Sequence, residues 1–248
     1  MSIKRPSRSG TRVTLQLAYA AAALLIASLA ACSDTPSPPS AETPEGINDK
    51  FLSEDLDVDE YVERFEGESR EIFAERQAIV EALTLSSGSR IADIGAGTGF
   101  FSALFAEKVG SDGTVFAVEI SPKFLEHLRE RFPTNDSTPV RVVEGTRNSV
   151  ELPPASVDTV FICDVYHHFE SPQDSLASLH KAIRPGGSLV LIDFKRIPGE
   201  SKKWIFDHVR AGKEIFRAEI EAAGFVSAEE IQLEGMEDNY MLRFERVD

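Results

Sequence analysis

Apolar residues fall into two alternating patterns from about position 90 onward. Short β-branched runs predict strands, and the segments between them, with apolar residues at three- and four-residue steps, predict helices. The predicted strands are 90–94, 114–119, 140–144, 157–162 and 188–194, and the predicted helices are 100–109, 122–132 and 174–183. Because such strands are joined by right-handed crossovers, the alternation predicts a doubly wound α/β fold whose mostly parallel sheet has helices on both faces.

The two ends of this region carry weaker patterns. From Val58 onward, apolar residues at helical spacing predict one or two helices before the first strand. Near the C-terminus, residues 231–234 and 240–246 predict an antiparallel strand pair around Gly235. Residues 58–248 are therefore expected to form one domain, with a seven-stranded sheet that includes an antiparallel C-terminal strand.

Residues 1–31 have the pattern of an export leader. Four basic residues among the first twelve precede an apolar run, 15–29, which is shorter than the roughly 20 residues that span a hydrocarbon core. The run ends in Leu-Ala-Ala-Cys at 29–32, which resembles the bacterial lipobox, where the cysteine is acylated after cleavage. The alternative is an ordinary secretory leader followed by an incidental cysteine.

The lipobox resemblance implies a lipid anchor on Cys32 and a position on the periplasmic face of the bacterial cell envelope. Ser33 stands where an Asp would favour inner-membrane retention, so sorting to the outer membrane is the expectation. Residues 32–57 are rich in Pro, Ser, Thr and acidic residues, a composition that predicts a flexible tether. The predicted order is thus signal peptide 1–31, tether 32–57 and folded domain 58–248.

The chain is acidic, with 41 Asp and Glu against 26 Lys and Arg and a formal net charge of −15. Removal of the leader would make it more acidic still, because all four leader charges are basic. Phosphate backbones and anionic headgroups repel such a surface, which argues against nucleic-acid binding and against direct electrostatic docking on membranes. Acylation of Cys32 would leave Cys163 without an intramolecular partner, so no disulfide is predicted.

The sharpest local signal is the glycine-rich segment after the first predicted strand. Ile91-Ala-Asp-Ile-Gly-Ala-Gly-Thr-Gly-Phe100 ends the strand near Asp93 and passes three alternate glycines into a helix. Glycines allow close backbone approach to a ligand, and the helix supplies free N–H groups. Gly99 follows Gly97 by two positions, whereas the dinucleotide fingerprint requires three, so a nicotinamide-dependent oxidoreductase is disfavoured.

A second acidic strand end, Glu119, follows Gly99 by 20 positions. A carboxylate there can accept hydrogen bonds from ribose hydroxyls. Together with Asp93 and the three glycines, Glu119 resembles the first motifs of class I S-adenosylmethionine-dependent methyltransferases, and segments 156–169 and 183–193 continue that pattern. The resemblance covers roughly residues 73–246 and implies a Rossmann-like fold with S-adenosyl-L-methionine as cofactor.

The resemblance also assigns the cofactor contacts. Asp93 and the loop backbone would contact the methionine part of the cofactor, and Glu119 would bind the ribose. Thr146 would contact the adenine, and Asp164 would lie near the amino group or the substrate entrance. The predicted cofactor-binding residues are Asp93, Gly95, Ala96, Gly97, Gly99, Glu119, Thr146 and Asp164. Many relatives carry Gly-Asp where this chain has Gly145-Thr146, so a turn role for Thr146 is an equal alternative.

Candidate catalytic residues follow the fourth predicted strand, where substrate would arrive. They are Tyr166, His167 and His168. Methyl transfer from a sulfonium is a direct displacement that depends mainly on alignment, and a base such as neutral imidazole is needed only when the nucleophile carries a proton. The alternative to a catalytic role is that the two histidines stand at the start of a helix and form hydrogen bonds with the backbone. A metal role for either histidine with Asp164 and His208 is less favoured, and no metal is predicted.

Residues 201–217 interrupt the usual path to the last helix and carry basic and aromatic residues in an acidic chain. One interpretation is a lid in which Arg210 and Lys213 hold an acidic group of the substrate. The other, slightly favoured, is an amphipathic helix on the sheet with its basic residues in surface pairs.

The sequence thus predicts a lipid-anchored methyltransferase with a small-molecule or lipid-like acceptor, most similar to the quinone-biosynthesis and small-molecule branch of the family. Because S-adenosylmethionine is made in the cytosol and the leader predicts export, a second hypothesis is a non-catalytic envelope protein that uses the fold to bind a ligand or partner. Asp93, the glycines and Glu119 are intact, which favours the enzyme.

Overall fold

A seven-stranded sheet organises the computed structural model, which describes residues 1–2, 41–67, 70–134 and 138–247. The strands are β1 Arg90–Ile94, β2 Thr114–Glu119, β3 Val140–Glu144, β4 Val157–Cys163, β5 Ile183–Phe194, β6 Phe225–Ile231 and β7 Asn239–Arg246. Their order is β3-β2-β1-β4-β5-β7-β6. The first five are parallel, and β7 lies antiparallel between β5 and β6. The predicted fold class is confirmed.

Eight α-helices accompany the strands within the described ranges. They are α1 Val58–Phe65, α2 Glu71–Ala74, α3 Arg76–Ala82, α4 Phe100–Val109, α5 Pro122–Arg131, α6 Pro172–Ala182, α7 Lys203–His208 and α8 Lys213–Ala222. A 3₁₀ turn, Tyr166–His168, follows β4. None of these helices is long and apolar enough to cross a bilayer. The predicted signal peptide and Cys32 lie outside the described residues.

The two faces of the sheet are covered by different helices. On one face, Leu176 and Leu179 of α6 and Phe216 and Ile220 of α8 join one buried cluster. The other cluster contains Ile79 of α3, Phe101 and Phe105 of α4 and Leu128 of α5. Burial of each such side chain contributes about 1.5–3 kcal/mol. The three-layer arrangement leaves the carboxyl ends of β1 and β4 facing an open crevice, because the strand order reverses between them.

Two predictions for the ends of the domain are wrong: the number of helices before β1 and the range of the sixth strand. Three helices, not one or two, precede β1. The sixth strand runs over Phe225–Ile231 instead of 231–234. Its buried anchor is Phe225, which pairs with Arg246, while the following residues alternate weakly and Val226 is exposed. Because β6 is held mainly by backbone pairing with β7, its sequence shows little alternation of apolar and polar residues, and the pattern does not reveal the strand.

Residues 41–57 were assigned by composition to the tether, but the structure places them against the domain. Asn48 is buried and donates through Nδ2 to the His168 carbonyl at 3.0 Å. Thr43 Oγ1 donates to the Phe169 carbonyl at 2.6 Å, and Ser121 Oγ donates to the Phe51 carbonyl at 2.5 Å. These anchors are polar, so a count of apolar residues misses them. The folded domain begins near residue 41 rather than at 58.

The basic residues of the 201–217 segment have protein partners. Arg210 Nη2 lies 2.6 Å from Glu219 Oε2, and their side chains are 0% and 2% exposed. Lys213 Nζ donates to Glu230 Oε1 at 2.8 Å, at the surface. The interpretation that these two cations hold a substrate acid is therefore wrong. The amphipathic alternative is closer, although two helices replace one and the Arg210 pair is buried.

We expect Arg210→Met to lower the free energy of unfolding by about 3–5 kcal/mol, because it leaves the Glu219 carboxylate buried without its cation. Lys213→Met is the matched control and should change stability by less than about 1 kcal/mol, because its ion pair is solvent-exposed. Urea denaturation followed by circular dichroism measures both. Equal, small losses would show that the Arg210–Glu219 pair has no structural importance.

Candidate active site

The loop between β1 and α4 forms one wall of the crevice. Gly95, Gly97 and Gly99 all have positive φ values, of 67°, 54° and 79°. A Cβ on Gly95 would lie 2.6 Å from Val165 Cγ1, so protein packs tightly against that position. At Gly97 the nearest atom to a Cβ is Phe65 Cε2, at 3.7 Å, which is an ordinary van der Waals contact. The loop conformation favours glycine at all three positions, and Gly95 and Gly97 line a cavity.

The first cavity lies against this loop and has a volume of about 140 Å³. Its other walls come from the ends of β2 and β3 and from the segment after β4. Lining residues include Gly95, Gly97, Glu119, Ile120, Thr146, Val150, Asp164 and Phe169. A largely apolar lining with a few polar groups is typical of sites for small molecules and cofactors.

Glu119 presents a carboxylate to the first cavity and is 7% exposed. Its Oε1 accepts the N–H groups of Ile120 at 2.7 Å and Ser121 at 2.9 Å, and its Oε2 accepts the N–H of Gly97 at 2.9 Å. Burial raises the pKa of Glu119, while these three backbone donors lower it. A carboxylate has about four acceptor positions, so one remains for a ligand hydroxyl.

Asp93 lies behind the loop, because it lines neither of the two cavities that meet at this site. Its Oδ2 accepts a hydrogen bond from Ser102 Oγ at 2.6 Å, which ties the end of β1 to α4. Burial raises the pKa of Asp93 to about 7, opposed by the Ser102 hydrogen bond. The Ala96 N–H is also used internally, since it donates to the Val118 carbonyl at 3.0 Å. Both residues therefore shape the loop instead of offering side-chain or N–H contacts to the cavity.

Thr146 lines the first cavity, but its hydroxyl is engaged in a local turn. The Oγ1 atom donates to Asn148 Oδ1 at 3.0 Å, and the Thr146 N–H donates to the Ser149 carbonyl at 2.8 Å. This geometry fits the turn alternative. A contact between Thr146 and adenine stays a prediction.

Asp164 stands where the first cavity meets a second, larger one of about 550 Å³. Its backbone is left-handed, with φ 54°, and its carboxylate accepts from Arg70 Nη2 at 2.6 Å and from Asn239 Nδ2 at 2.5 Å. Burial raises the pKa of Asp164, and the Arg70 guanidinium lowers it. Arg70 and Asn239 come from opposite ends of the domain, and no sequence motif indicated either.

The second cavity is lined by aromatic and charged side chains. Aromatic members are Phe51, Tyr61, Phe65, Phe194 and Trp204, basic members are Lys50, Arg64, Arg70 and Lys202, and acidic members are Glu71, Asp164, Glu237 and Asp238. Phe51, Phe65, Asp164 and His168 line both cavities. The two spaces are therefore adjacent and share one boundary, which is the arrangement needed for a cofactor and an acceptor to meet.

Three histidines line the second cavity: His167, His168 and His208. His167 Nδ1 lies 2.9 Å from Oδ1 of Asp193, which is fully buried. Burial and the neighbouring histidines lower the pKa of His168 to about 2. Burial also lowers the pKa of His208 to about 4. His168 and His208 are therefore neutral at physiological pH.

Tyr166 does not belong to this site. Its ring is fully buried against Phe216, its hydroxyl donates to Glu219 Oε2 at 2.9 Å, and it lines neither cavity. Burial raises the pKa of the Tyr166 hydroxyl above its ordinary value. We therefore remove Tyr166 from the candidate catalytic residues.

Comparison with known proteins gives this geometry a family context. The model of a methyltransferase domain matches residues 92–191, from β1 through most of β5. A SAM-dependent methyltransferase from Aquifex aeolicus superposes on 77% of this chain and 99% of its own, with a TM-score of 0.66 and 21% identity, and so shares the fold of this domain.

Two curated relatives are named as methyltransferases. The ubiquinone/menaquinone biosynthesis C-methyltransferase UbiE of Nitrosospira multiformis is 29% identical over 118 residues, 48% of each chain. The demethylmenaquinone methyltransferase of Listeria welshimeri is 26% identical over 126 residues, 50% of this chain and 53% of its own. The chain thus spans about half the length of these relatives.

The buried Asp93 should make stability depend on pH. Its folded-state pKa of about 7 exceeds the ordinary value of 3.8, so the folded chain keeps a proton that the unfolded chain loses. Raising the pH from about 4 to about 7 should therefore reduce the free energy of unfolding by roughly 1 kcal/mol per pH unit through this group. Asp93→Asn should flatten that part of the profile.

Denaturation at a series of pH values, with the variant measured beside the natural chain, isolates the Asp93 contribution. Glu144→Gln serves as the control, because Glu144 is an exposed carboxylate at the end of β3. Parallel profiles for Asp93→Asn and the natural chain would contradict the expectation.

Proposed function

We propose that this chain methylates a small-molecule acceptor bound in the second cavity, with S-adenosyl-L-methionine in the first. The observation that carries the proposal is the pair of adjoining cavities that meet at Asp164. One is built from the glycine loop and Glu119, and the other from histidines, aromatic rings and charged side chains. Alignment of two bound reactants is the main requirement of a direct displacement.

The residues of the first cavity fit the cofactor. Glu119 retains acceptor capacity for ribose hydroxyls after its three backbone bonds. Gly97 lines the loop wall of this cavity, and Asp164 offers a carboxylate near the boundary, where an ammonium group can bind. When bound, the cofactor supplies an electrophilic methyl group on its sulfonium. The chain's own contribution is to hold the two reactants in line and to limit access of water.

The lining of the second cavity favours a flat aromatic acceptor. Phe65, Phe194 and Trp204 supply ring surfaces, and basic and acidic side chains of the same lining supply polar partners. A hydroxylated ring suits such a lining, because its faces are apolar and its oxygen can bond polar side chains. The curated relatives are named for ubiquinone and menaquinone biosynthesis, which supports a quinol-like acceptor here.

A proton must leave such an acceptor when the nucleophilic atom carries one. His168, with a pKa of about 2, is a poor acceptor for that proton, because an efficient base titrates near the working pH. His167 is better suited, since Asp193 holds its Nδ1 and leaves its Nε2 as the available nitrogen. In the absence of any other ligand to the histidines, His167 is the proposed base.

The test of the cofactor assignment is calorimetric titration with S-adenosylmethionine, S-adenosylhomocysteine and NADH in parallel. We expect micromolar binding of the two adenosyl sulfur compounds and none of NADH. Gly97→Ala should weaken that binding by at least tenfold, because it adds a methyl group to the loop wall of the first cavity. No binding of any of the three to the natural chain would favour the non-catalytic envelope protein.

The matched control is Gly88→Ala. Gly88 also has a positive φ, of 83°, and a Cβ there would meet nothing within 4 Å. Both substitutions should cost about 1–2 kcal/mol of stability, because an L side chain is strained in this conformation. Only Gly97→Ala should lose ligand affinity; an equal loss in both variants would attribute the effect to general destabilisation.

The lipid anchor is a further part of the proposal, supported by the basic and apolar leader and the Leu-Ala-Ala-Cys segment at 29–32. It would hold the enzyme at a membrane surface, where apolar acceptors concentrate. Radiolabelled palmitate fed to cells should label the natural chain and not Cys32→Ala, with Cys163→Ala as the matched control that keeps the label. Labelling that persists in Cys32→Ala would exclude acylation at this residue.

A further inference from the structure

We infer that His167, His168 and His208 form a binding site for a divalent transition-metal ion in the wall of the second cavity. Binding of the ion follows from the histidines alone. Its use in catalysis rests on the proposed function, because it requires an acceptor in the same cavity. The three residues come from two separate segments, the 3₁₀ turn after β4 and the end of α7, that the fold brings together.

The geometry of the cluster suits one ion. One side-chain nitrogen from each histidine lies within 4.8 Å of the other two. The ring centroids are 4.3 Å apart for His167 and His168, 5.0 Å for His167 and His208, and 4.9 Å for His168 and His208. Zinc–nitrogen bonds of about 2.0–2.1 Å place nitrogens on a tetrahedral ion about 3.4 Å apart. The nitrogens therefore need only a small inward adjustment to share an ion.

A histidine that binds a metal through one ring nitrogen usually donates a hydrogen bond through the other, and Asp193 accepts that bond from His167. Its Oδ1 accepts from His167 Nδ1 at 2.9 Å and from the Phe194 N–H at 2.8 Å, and its Oδ2 accepts from the His167 N–H at 3.2 Å. These bonds fix the carboxylate, which in turn fixes the ring of His167 and leaves Nε2 as the ligand atom. A fully buried carboxylate behind a histidine is the arrangement that orients imidazole and increases its basicity toward a metal.

His168 carries an unsatisfied polar atom. Its Nδ1 is buried and has no hydrogen-bond partner within the part of the chain that the structure describes. Buried polar atoms are nearly always bonded, so one that is not indicates a missing partner such as an ion or a water molecule. The ring of His168 also packs against the rings of His167 and His208, so one ion could bind all three histidines.

The ligand set selects the class of metal. Three imidazole nitrogens, with no carboxylate or thiolate among them, suit Zn²⁺, Co²⁺, Ni²⁺ or Fe²⁺ and not Mg²⁺ or Ca²⁺, which prefer oxygen. Three protein ligands also leave a coordination position open, as in catalytic zinc sites. Because all three histidines line the cavity, that position is accessible to an oxygen atom of a bound acceptor or to water.

An ion at this position would replace His167 as the group that favours loss of the acceptor proton. It would bind the acceptor oxygen and stabilise its negative charge, a Lewis-acid role. The two uses of His167 exclude each other, because Nε2 has a single lone pair. Metal content therefore decides which chemistry the cluster performs.

The test uses the full chain, purified without an affinity tag in detergent and stripped with a chelator. Titration with Zn²⁺ should show one equivalent bound with a micromolar or smaller dissociation constant, and Mg²⁺ should show no binding. Co²⁺ should give the visible absorption of a four- or five-coordinate site. No Zn²⁺ binding by the natural chain would overturn the inference.

Three variants locate the ion. His208→Ala and His168→Gln should each weaken Zn²⁺ binding by more than the roughly 10–100-fold expected for Asp193→Asn, which removes only an outer partner. His180→Gln is the matched control and should bind as the natural chain does, because His180 lies elsewhere, against Phe225. Unchanged Zn²⁺ affinity in both His208→Ala and His168→Gln would show that the ion binds elsewhere and would overturn the site.

S-adenosylhomocysteine affinity separates this inference from the proposed function. His208 does not line the first cavity, so His208→Ala should keep the natural chain's affinity for that compound, which also shows that the variant is folded. Cofactor binding without metal binding would refute the metal site alone. Metal binding without cofactor binding would refute the methyltransferase proposal and leave the metal site.

Discussion

Three hydrogen bonds from backbone N–H groups of the β1–α4 loop to β2 fix the loop wall of the first cavity. Gly95 and Ala96 donate to the Val118 carbonyl at 2.8 and 3.0 Å, and Gly97 donates to the Glu119 carboxylate at 2.9 Å. The loop is thereby turned toward the crevice between β1 and β4, and Glu119 is held at its edge. Each bond requires the chain to turn through conformations that favour glycine, so the alternate glycines are a structural condition for the site.

Charge at the site is balanced by specific local partners. Asp164 is paired with Arg70, and Glu219 with Arg210. Both pairs are largely buried, so each ion needs the other to offset its loss of hydration. The Arg210–Glu219 pair also binds the N–H and carbonyl of Ala41, which fastens the start of the folded domain. Charged groups that suggested substrate binding in the sequence instead connect distant parts of the chain.

The N-terminal residues 41–65 form part of the walls of both cavities. Phe51 packs on Tyr61 and His168, with ring centroids 5.5 and 5.3 Å apart, and Phe65 lies beside Gly97. The segment that leads from the predicted tether is thus also a boundary of the proposed cofactor and acceptor sites. Attachment at Cys32 would place that boundary near the membrane end of the chain.

The sequence by itself determined the parallel sheet, the glycine loop and Glu119. Strand and helix patterns repeat over many residues, and the loop requires glycines at fixed positions, so both leave a local signal. The predicted strand 114–119 and helix 100–109 coincide with β2 and α4 for this reason.

Only the tertiary structure decided which polar side chains share a site. It placed Tyr166 in the core, Asp93 behind the loop and Arg210 on Glu219, and it brought His208 to His167 across about 40 positions of sequence. Side-chain partners are set by packing between distant segments, which no local periodicity records. The chemistry of this protein therefore depends on contacts that the chain makes only after it has folded.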